Sequence, residues 1–167
     1  FIGGVEMTAA GEAALAEALD GSGLGSFLDI GTGTGRMAEL FAERASHVTA
    51  LDKNPEMLRI ARARLQDLPA EKVELVQGDF SGLPFEDESF DTVLFHQVLH
   101  YALEPETVLA EAARVTRDAG RIAIVDFAAH DREELREGHA HARLGFSEEQ
   151  MLALLSEAGF DGQPAIA

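Results

Sequence analysis

A run of three alternating glycines is the first feature with an evident chemical use. It stands in the sequence Phe27-Leu-Asp-Ile-Gly31-Thr-Gly33-Thr-Gly35, where it directly follows a short apolar segment. Because glycine has no Cβ, a glycine-rich turn between a strand and a helix lets a ligand approach the main chain closely. The helix N-terminus beyond the turn adds N–H groups without helical partners and the positive end of the dipole. The pattern predicts a ligand-binding loop, although a tight strand-to-helix turn without a ligand would use the same glycines.

An acidic residue about twenty positions after the glycines narrows the choice of ligand. Asp52 is predicted to end the next strand, where its carboxylate could accept hydrogen bonds from both hydroxyls of a ribose. NAD would suit this arrangement, but the dinucleotide fingerprint needs its third glycine inside the first helical turn. Here Gly35 comes too early and Arg36 follows it. Asp29 also brings negative charge to the place of a pyrophosphate, which favours a cationic sulfonium ligand with a free amino group.

Histidines are the candidates for acid–base chemistry. His96 and His100 follow a predicted strand, at the sheet edge where open α/β sheets bind ligands, and His130, His139 and His141 lie in a later segment predicted to cover that edge. They could supply a general base that titrates near neutral pH, three nitrogens for a metal, or hydrogen bonds among themselves within a lid. On a helix His139 and His141 would point about 200° apart, so we predict no metal site. The catalytic candidates are His100, His139 and His141.

Helical and strand patterns alternate along the chain and must position these residues. The predicted strands are 26–30, 48–51, 73–76, 90–95 and 121–127, and the predicted helices are 8–19, 35–45, one opened by Asn54 and Pro55, 105–117, and one from a capping box at 147–150 to Gly159. Such alternation implies a mostly parallel sheet with helices on both faces. The sequence therefore predicts a Rossmann-like, doubly wound α/β fold, with residues 1–167 in a single domain.

The motifs, in their order and spacing, resemble those of class I S-adenosylmethionine-dependent methyltransferases. The glycine loop looks like motif I of that family, and the resemblance continues through residues 50–58, 77–80, 83–85 and 90–96. It implies the class I methyltransferase fold, S-adenosylmethionine as cofactor and S-adenosylhomocysteine as product. By this resemblance Gly31 and Gly33 line the methionine part of the cofactor, which His96 contacts largely through its backbone.

The same resemblance assigns residues to the adenosine part. Asp52 would hold the ribose, Lys53 and Met57 would flank the adenine, and Asp79 would accept a hydrogen bond from the adenine amino group with Phe80 beside it. Met57 could instead be core packing, Lys53 a solvent-exposed residue and Asp79 a loop cap. The complete predicted cofactor set is Asp29, Gly31, Thr32, Gly33, Gly35, Asp52, Lys53, Met57, Gly78, Asp79, Phe80 and His96.

A narrower resemblance concerns the rest of the chain. Residues 95–101, 125–127 and 139–147 are similar to the methyltransferase-type domain that follows an ArsR-type winged-helix domain in some bacterial regulators. This implies a covalently linked DNA-binding domain beyond the given chain, which begins at Phe1 without a Met. We also expect the family's C-terminal β-hairpin to be truncated, since only residues 164–167 could begin it.

Composition excludes several classes of function. The chain of 167 residues has 13 basic and 30 acidic residues, a net charge of −17 and no cysteine. Binding of nucleic acid depends on basic side chains that neutralise phosphates, so we expect no direct contact with nucleic acid. Without cysteine there are no disulfides, thiolate metal sites or thiol nucleophiles. No apolar run approaches the roughly 20 residues of a membrane span, and we expect a cytoplasmic protein without membrane contact.

Two functions remain open from the sequence. One is an enzyme that methylates a small-molecule acceptor; the other is a sensor domain that binds S-adenosylmethionine or S-adenosylhomocysteine and signals to a DNA-binding partner domain. Methyl transfer mainly needs alignment of nucleophile and methyl group, so the motifs do not identify the acceptor. We expect residues 130–143 to form a mobile lid over the site, although a rigid helix packed on the sheet edge is an alternative. The candidates for substrate contact are Gln97, His100, Tyr101 and Arg143.

Overall fold

A computed structural model describes residues 2–3, 9–19, 23–127 and 145–161. The strands in these ranges are β1 (Ile2–Gly3), β2 (Gly25–Ile30), β3 (Ala45–Asp52), β4 (Val73–Gln77), β5 (Phe90–His96) and β6 (Thr116–Asp126). The α-helices are α1 (Ala9–Ala18), α2 (Arg36–Phe41), α3 (Pro55–Arg64), α4 (Pro105–Val115) and α5 (Glu148–Glu157). Short 3₁₀ turns occupy Ala42–Arg44 and Leu99–Tyr101.

The described strands form one sheet in the order β1-β6-β5-β2-β3-β4, and every pair of neighbours is parallel. From β2 the chain moves outward through β3 to β4 and then returns to β5 on the other side of β2. The order therefore reverses between β2 and β5, and the loops after these strands diverge at their carboxyl ends. Such a switch point is where open α/β sheets bind ligands. The predicted doubly wound parallel sheet is confirmed.

Side chains of the central strands alternate between two hydrophobic cores, as the period of a strand requires. In β2, Phe27 packs toward α1 and α2, whereas Leu28 and Ile30 pack toward α4 and α5. In β5, Leu94 packs in the same core as Phe27, and Val93 packs in the same core as Leu28 and Ile30. Because both faces of the sheet are covered by helices, these strands bury apolar side chains on both faces.

The predicted helix signals occur where expected. The Asn54 side chain accepts a hydrogen bond of 2.9 Å from the Glu56 N–H, with Pro55 as the first residue of α3. Ser147 and Gln150 form both bonds of the capping box at the start of α5. Local capping bonds of this kind satisfy helical N–H groups from within a few residues, which is why the sequence shows them.

The boundary between α4 and β6 differs from the prediction. The helix was expected to reach residue 117 and the strand to begin at 121, but α4 ends at Val115 and β6 begins directly at Thr116. Residues 117–120 then bulge out, because Phe90 pairs with Thr116 while Thr92 already pairs with Arg121. Ala119 adopts a φ of +61° in this bulge. No proline separates the helix from the strand, so the sequence gives no turn signal at the boundary between them.

Several predictions concern residues outside the described ranges. These are the lid at 130–143 with His130, His139, His141 and Arg143, and the start of the hairpin at 164–167. The short strand β1 was not predicted; two residues are too few for a hydrophobic period to be visible. In the described part of the chain, no helix has both the length and the apolar character of a membrane span.

Candidate functional site

A cleft of about 700 Å³ opens at the carboxyl edge of the sheet, between the loops after β2, β3, β4 and β5. It brings together eleven of the twelve residues predicted to bind the cofactor, from four segments of the chain. They are Asp29, Gly31, Thr32, Gly33, Asp52, Lys53, Met57, Gly78, Asp79, Phe80 and His96. The twelfth, Gly35, does not line the cleft: a Cβ at this position would lie 3.1 Å from the Ala61 Cβ, so Gly35 allows α2 and α3 to pack closely.

The first two glycines of the loop have different physical reasons to be glycine. Gly31 has a φ of +68°, and a Cβ there would lie 2.5 Å from Cγ1 of Val98, so the loop after β5 packs directly on its α-carbon. Gly33 has a φ of +55°, but a Cβ there would meet no atom within 4 Å. The space over Gly33 is part of the cleft. A side chain at Gly33 would therefore occupy room that a ligand could use.

The Asp52 carboxylate joins the glycine loop to the start of α3. Its Oδ2 accepts the Gly33 N–H at 2.9 Å, and its Oδ1 accepts the Asn54 N–H at 2.9 Å. A carboxylate offers about four lone-pair positions, so each oxygen keeps one for another donor. The half-buried Asp52 is thus fixed by its own chain and still able to accept two hydrogen bonds inside the cleft.

Asp79 follows β4 and is exposed at the rim of the same cleft. Its Oδ1 accepts the Ser81 N–H at 2.8 Å and also the Ser81 hydroxyl. The Ser81 side-chain hydrogen bond is the main cause that lowers the Asp79 pKa, and Lys53 nearby contributes a smaller part. Asp79 therefore caps its own loop, as the alternative interpretation of the sequence held, and presents an ionised carboxylate to the cleft.

Asp29 is buried under the glycine loop and only 1% exposed. The Thr32 hydroxyl donates to its Oδ2 at 2.7 Å. Burial raises the pKa of Asp29 to about 7, against the lowering effect of Thr32 and with a further increase from the nearby charge of Asp52. The base of the cleft thus holds a carboxyl group that changes charge near neutral pH.

His96 ends β5 and lines the cleft half-buried. Its Nε2 is buried and has no hydrogen-bond partner among the described residues. Burial lowers the His96 pKa, so the ring is neutral at physiological pH.

The predicted catalytic and substrate-contact residues divide into three groups. Gln97 and Tyr101 line the cleft, but His100 does not. His100 is 1% exposed and lies behind the turn, with Nδ1 2.8 Å from Oδ1 of Asp126. His139, His141 and Arg143 lie outside the described residues. Within the described ranges, no three His, Asp or Glu residues are grouped as metal ligands would be.

Six cleft residues were not predicted. Thr34, Arg36, Met37 and Asn54 adjoin predicted positions, so their neighbours in sequence were the available signal. Val98 and Leu51 are apolar residues that the sequence does not distinguish from core. Arg36 also links the glycine loop to α1 through a 3.0 Å ion pair with Glu12, a contact between distant segments that left no mark in the sequence.

Proteins of known type are similar to this chain over more than half of its length. A family model described as a methyltransferase domain matches residues 28–124. The chain is 40% identical over 112 residues to a phosphatidylethanolamine N-methyltransferase of Cereibacter sphaeroides, an alignment that covers 66% of this chain and 55% of that protein. It is 36% identical over 100 residues to a demethylmenaquinone methyltransferase of Renibacterium salmoninarum, covering 60% and 40%. The chain thus spans about half the length of these relatives.

A solved structure has the same fold. A SAM dependent methyltransferase from Aquifex aeolicus superimposes with a TM-score of 0.73 at 25% identity, and the match covers 91% of this chain and 80% of that one. The family model includes the glycine loop, Asp52, Asp79 and His96, which are the residues that form the cleft. Because this model matches more than half of the 167 residues, the chain belongs to the methyltransferase-domain family.

Proposed function

We propose that this chain binds S-adenosylmethionine in the cleft and transfers its methyl group to a small-molecule acceptor. The observation that carries the proposal is the Asp52 carboxylate at the end of β3. The Gly33 and Asn54 N–H groups fix it at 2.9 Å each, and both of its oxygens keep a lone pair for the cleft. Two adjacent hydroxyls of a ribose are donors that match these two acceptors.

The remaining residues fit the other parts of this cofactor. Asp79 offers a carboxylate to an exocyclic amino group, and Met57 and Phe80 offer apolar surface to a purine ring. The open space over Gly33 would hold the amino-acid end. The proposed binding set is the eleven cleft residues named above, and Gly35 supports them through the packing of α2 on α3.

The same geometry argues against a dinucleotide. A pyrophosphate at a glycine loop needs free backbone N–H groups. Here the Gly33 N–H points to Asp52 and is not available to a phosphate. The Asp52 carboxylate would moreover repel a pyrophosphate, whereas it is compatible with a sulfonium and an ammonium group.

The bound cofactor would supply a methyl group already activated for displacement from a sulfonium, with a neutral leaving group. The chain must then hold the acceptor in line, exclude water and accept a proton where the nucleophile carries one. The neutral His96 ring, which lines the cleft, is our candidate to accept that proton or a hydrogen bond from the acceptor. Gln97 and Tyr101 offer further polar contacts on the same wall.

The acceptor class follows from charge and from the relatives. Thirty acidic against 13 basic residues disfavour a nucleic-acid acceptor. The two relatives are named for phosphatidylethanolamine and demethylmenaquinone, both small compared with a protein or nucleic acid.

The lack of cysteine supports a cytoplasmic location. The resemblance of residues 95–101 and 125–127 supports a linked DNA-binding domain, in which case the cleft would also sense the cofactor.

A transfer assay with methyl-labelled S-adenosylmethionine and pooled small metabolites and lipids tests the proposal, with calorimetry of S-adenosylhomocysteine run beside it. We expect saturable binding and a labelled product that the Gly33→Val variant does not form. Binding without any labelled product would replace the enzyme with the sensor function. Absence of both would refute the cofactor site itself.

A further inference from the structure

Asp126, at the end of β6, is a charged residue that is only 1% exposed. Among the described residues, its carboxylate is hydrogen-bonded to other groups of the chain. Its Oδ1 accepts the Phe127 N–H at 2.8 Å, and its Oδ2 accepts the His100 N–H at 3.2 Å. The Nδ1 of His100 lies 2.8 Å from Oδ1. Because a carboxylate can only accept hydrogen bonds, Nδ1 of His100 is assigned as the donor in this third contact. A buried carboxylate is tolerated only when it is satisfied in this manner.

These bonds hold a turn that the backbone alone would not favour. His100 belongs to the segment 97–101, which directly follows β5. Gln97, its first residue, has a φ of +55°, a left-handed conformation uncommon outside glycine. Its N–H donates to the Val125 carbonyl at 2.6 Å. Strained backbone conformations persist where several surrounding contacts hold them in place. Here the end of β6 forms hydrogen bonds with both Gln97 and His100.

The other side of this segment is a wall of the cleft. Gln97, Val98 and Tyr101 line the cleft, and Val98 packs on Gly31. The His100 ring lies behind that wall, with its centroid 4.1 Å from the Tyr101 ring and 4.8 Å from the Phe127 ring. The Tyr101 ring packs on His100. Because Tyr101 is 43% exposed, the rest of the residue contacts solvent.

We propose that His100 and Asp126 are a positioning pair, which fixes the segment 97–101 as the acceptor-side wall of the cleft. This inference rests on the proposed function for the word acceptor, because Asp52 and Asp79 occupy the opposite end, where the adenosine is placed. His100 itself touches neither ligand. It acts through Tyr101 and Gln97, whose placement to within about 1 Å decides how well a nucleophile is aligned.

The chain carries its own reporter for this wall. Tyr101 is the one tyrosine in the sequence, and there is no tryptophan, so tyrosine emission reports the segment 97–101 alone. Exposed side chains that lose their packing move on the picosecond to nanosecond scale, within the lifetime of the emission. The fluorescence anisotropy of the free protein therefore measures how firmly the wall is held, without any cofactor or substrate.

The experiment compares four variants under conditions where each is folded. His100→Leu removes the side-chain donor to Asp126. Asp126→Asn keeps the size of the side chain but places its amide group against an N–H donor. If His100→Leu does not fold, Asp126→Asn still tests the proposal. His100→Asn retains a side-chain donor. Thr116→Val is the matched control, since it deletes a buried hydrogen bond of 2.6 Å to the Ala112 carbonyl at the opposite end of the same strand.

We expect the anisotropy of Tyr101 to fall by about a third in His100→Leu and Asp126→Asn, and to stay near the parent value in His100→Asn and Thr116→Val. With an identified acceptor, kcat/KM should fall about tenfold in the first two variants while the affinity for S-adenosylhomocysteine changes by less than about twofold. Unchanged anisotropy in both, or an equal fall in Thr116→Val, would overturn the positioning role. A failure of the proposed function would instead appear as absent cofactor binding in the parent, with the anisotropy result unaffected.

Discussion

At one end of the cleft, Asp52 and Asp79 stand at the ends of β3 and β4 and remain accessible to solvent, whereas at the other end Asp126 is buried behind the turn after β5. The two accessible carboxylates are held by N–H groups of Gly33, Asn54 and Ser81 and keep lone pairs for a ligand. Asp126 directs its hydrogen bonds to the chain itself. We propose that the same side-chain type serves ligand recognition at one end and positioning at the other.

The difference has an energetic consequence. Loss of a recognition carboxylate should reduce ligand affinity with little effect on folding, because its partners remain accessible to water. Loss of a satisfied buried carboxylate leaves several N–H donors without an acceptor and costs about 1–3 kcal/mol for each group left unsatisfied. Substitutions at one end of the cleft should therefore lower ligand affinity, and substitutions at the other should lower the stability of the fold.

The largest effect is expected at Gly33. Gly33→Val places a branched side chain in the cleft at a φ of +55°, so affinity for S-adenosylhomocysteine should fall more than about a hundredfold. The circular dichroism spectrum should stay close to that of the parent. Gly82→Val is the matched control, since a Cβ there also meets no atom within 4 Å but Gly82 lies outside the cleft. Calorimetry that shows affinity within twofold of the parent for Gly33→Val would refute this assignment.

Asp52→Ala is expected to have the next largest effect. Two hydroxyls of the bound ribose would lose a charged partner, which costs about 1.5–3 kcal/mol, or roughly tenfold to a hundredfold in affinity. Asp118→Ala, an exposed charge removed from the bulge of β6, controls for the change in net charge. If titration calorimetry gives both variants the parent affinity, Asp52 does not hold the ribose.

The buried Asp29 predicts a pH dependence of stability. Its pKa is raised by burial from 3.8 to about 7, so between these values the folded protein binds a proton that the unfolded chain has released. This group therefore stabilises the fold at low pH, and its contribution declines by up to about 1.4 kcal/mol per pH unit as pH rises toward 7. Urea unfolding of the parent and of Asp29→Asn isolates the contribution. The advantage of the variant should grow with pH over this window; a constant difference would show that Asp29 stays ionised.

The smallest effect is expected for Lys53, which is exposed at the cleft rim. Its long side chain should contribute less than about 1 kcal/mol, so Lys53→Ala should weaken binding of S-adenosylhomocysteine by less than about fivefold and less still in high salt. Arg59→Ala, an exposed cation of α3 outside the cleft, is the control. A loss as large as that of Asp52→Ala would break the distinction between recognition groups and rim.

The recognition end was predictable from the sequence because its contacts are local. The glycine loop, Asp52 before the Asn54 cap, and Asp79 before Ser81 each make hydrogen bonds within a few residues or to the next strand. The strand-and-helix pattern itself predicted the parallel sheet, since both cores are formed by alternating side chains of β2 and β5. Local hydrogen bonds and hydrophobic periods leave a record in sequence spacing.

The positioning end was not predictable for the opposite reason. The position of His100 after β5 predicts a role in chemistry, yet its partner Asp126 is 26 residues away. Nothing in the local sequence distinguishes a histidine that faces the cleft from one that faces the end of β6. The left-handed backbone at Gln97 and the contact of Val98 with Gly31 likewise depend on tertiary packing. Sequence spacing therefore identified Gln97 and Tyr101 as cleft residues, but it wrongly grouped His100 with them and did not indicate Val98.

Titration calorimetry of the parent chain with S-adenosylhomocysteine, and separately with NAD, tests the central claim most directly. The account predicts one saturable site per chain for S-adenosylhomocysteine, with a dissociation constant of about micromolar order, and no saturable heat with NAD up to about 1 mM. The Gly33 N–H bonded to Asp52 is the reason for that preference. Saturable binding of NAD, or none of S-adenosylhomocysteine at about millimolar concentration, would contradict the cofactor assignment of the cleft.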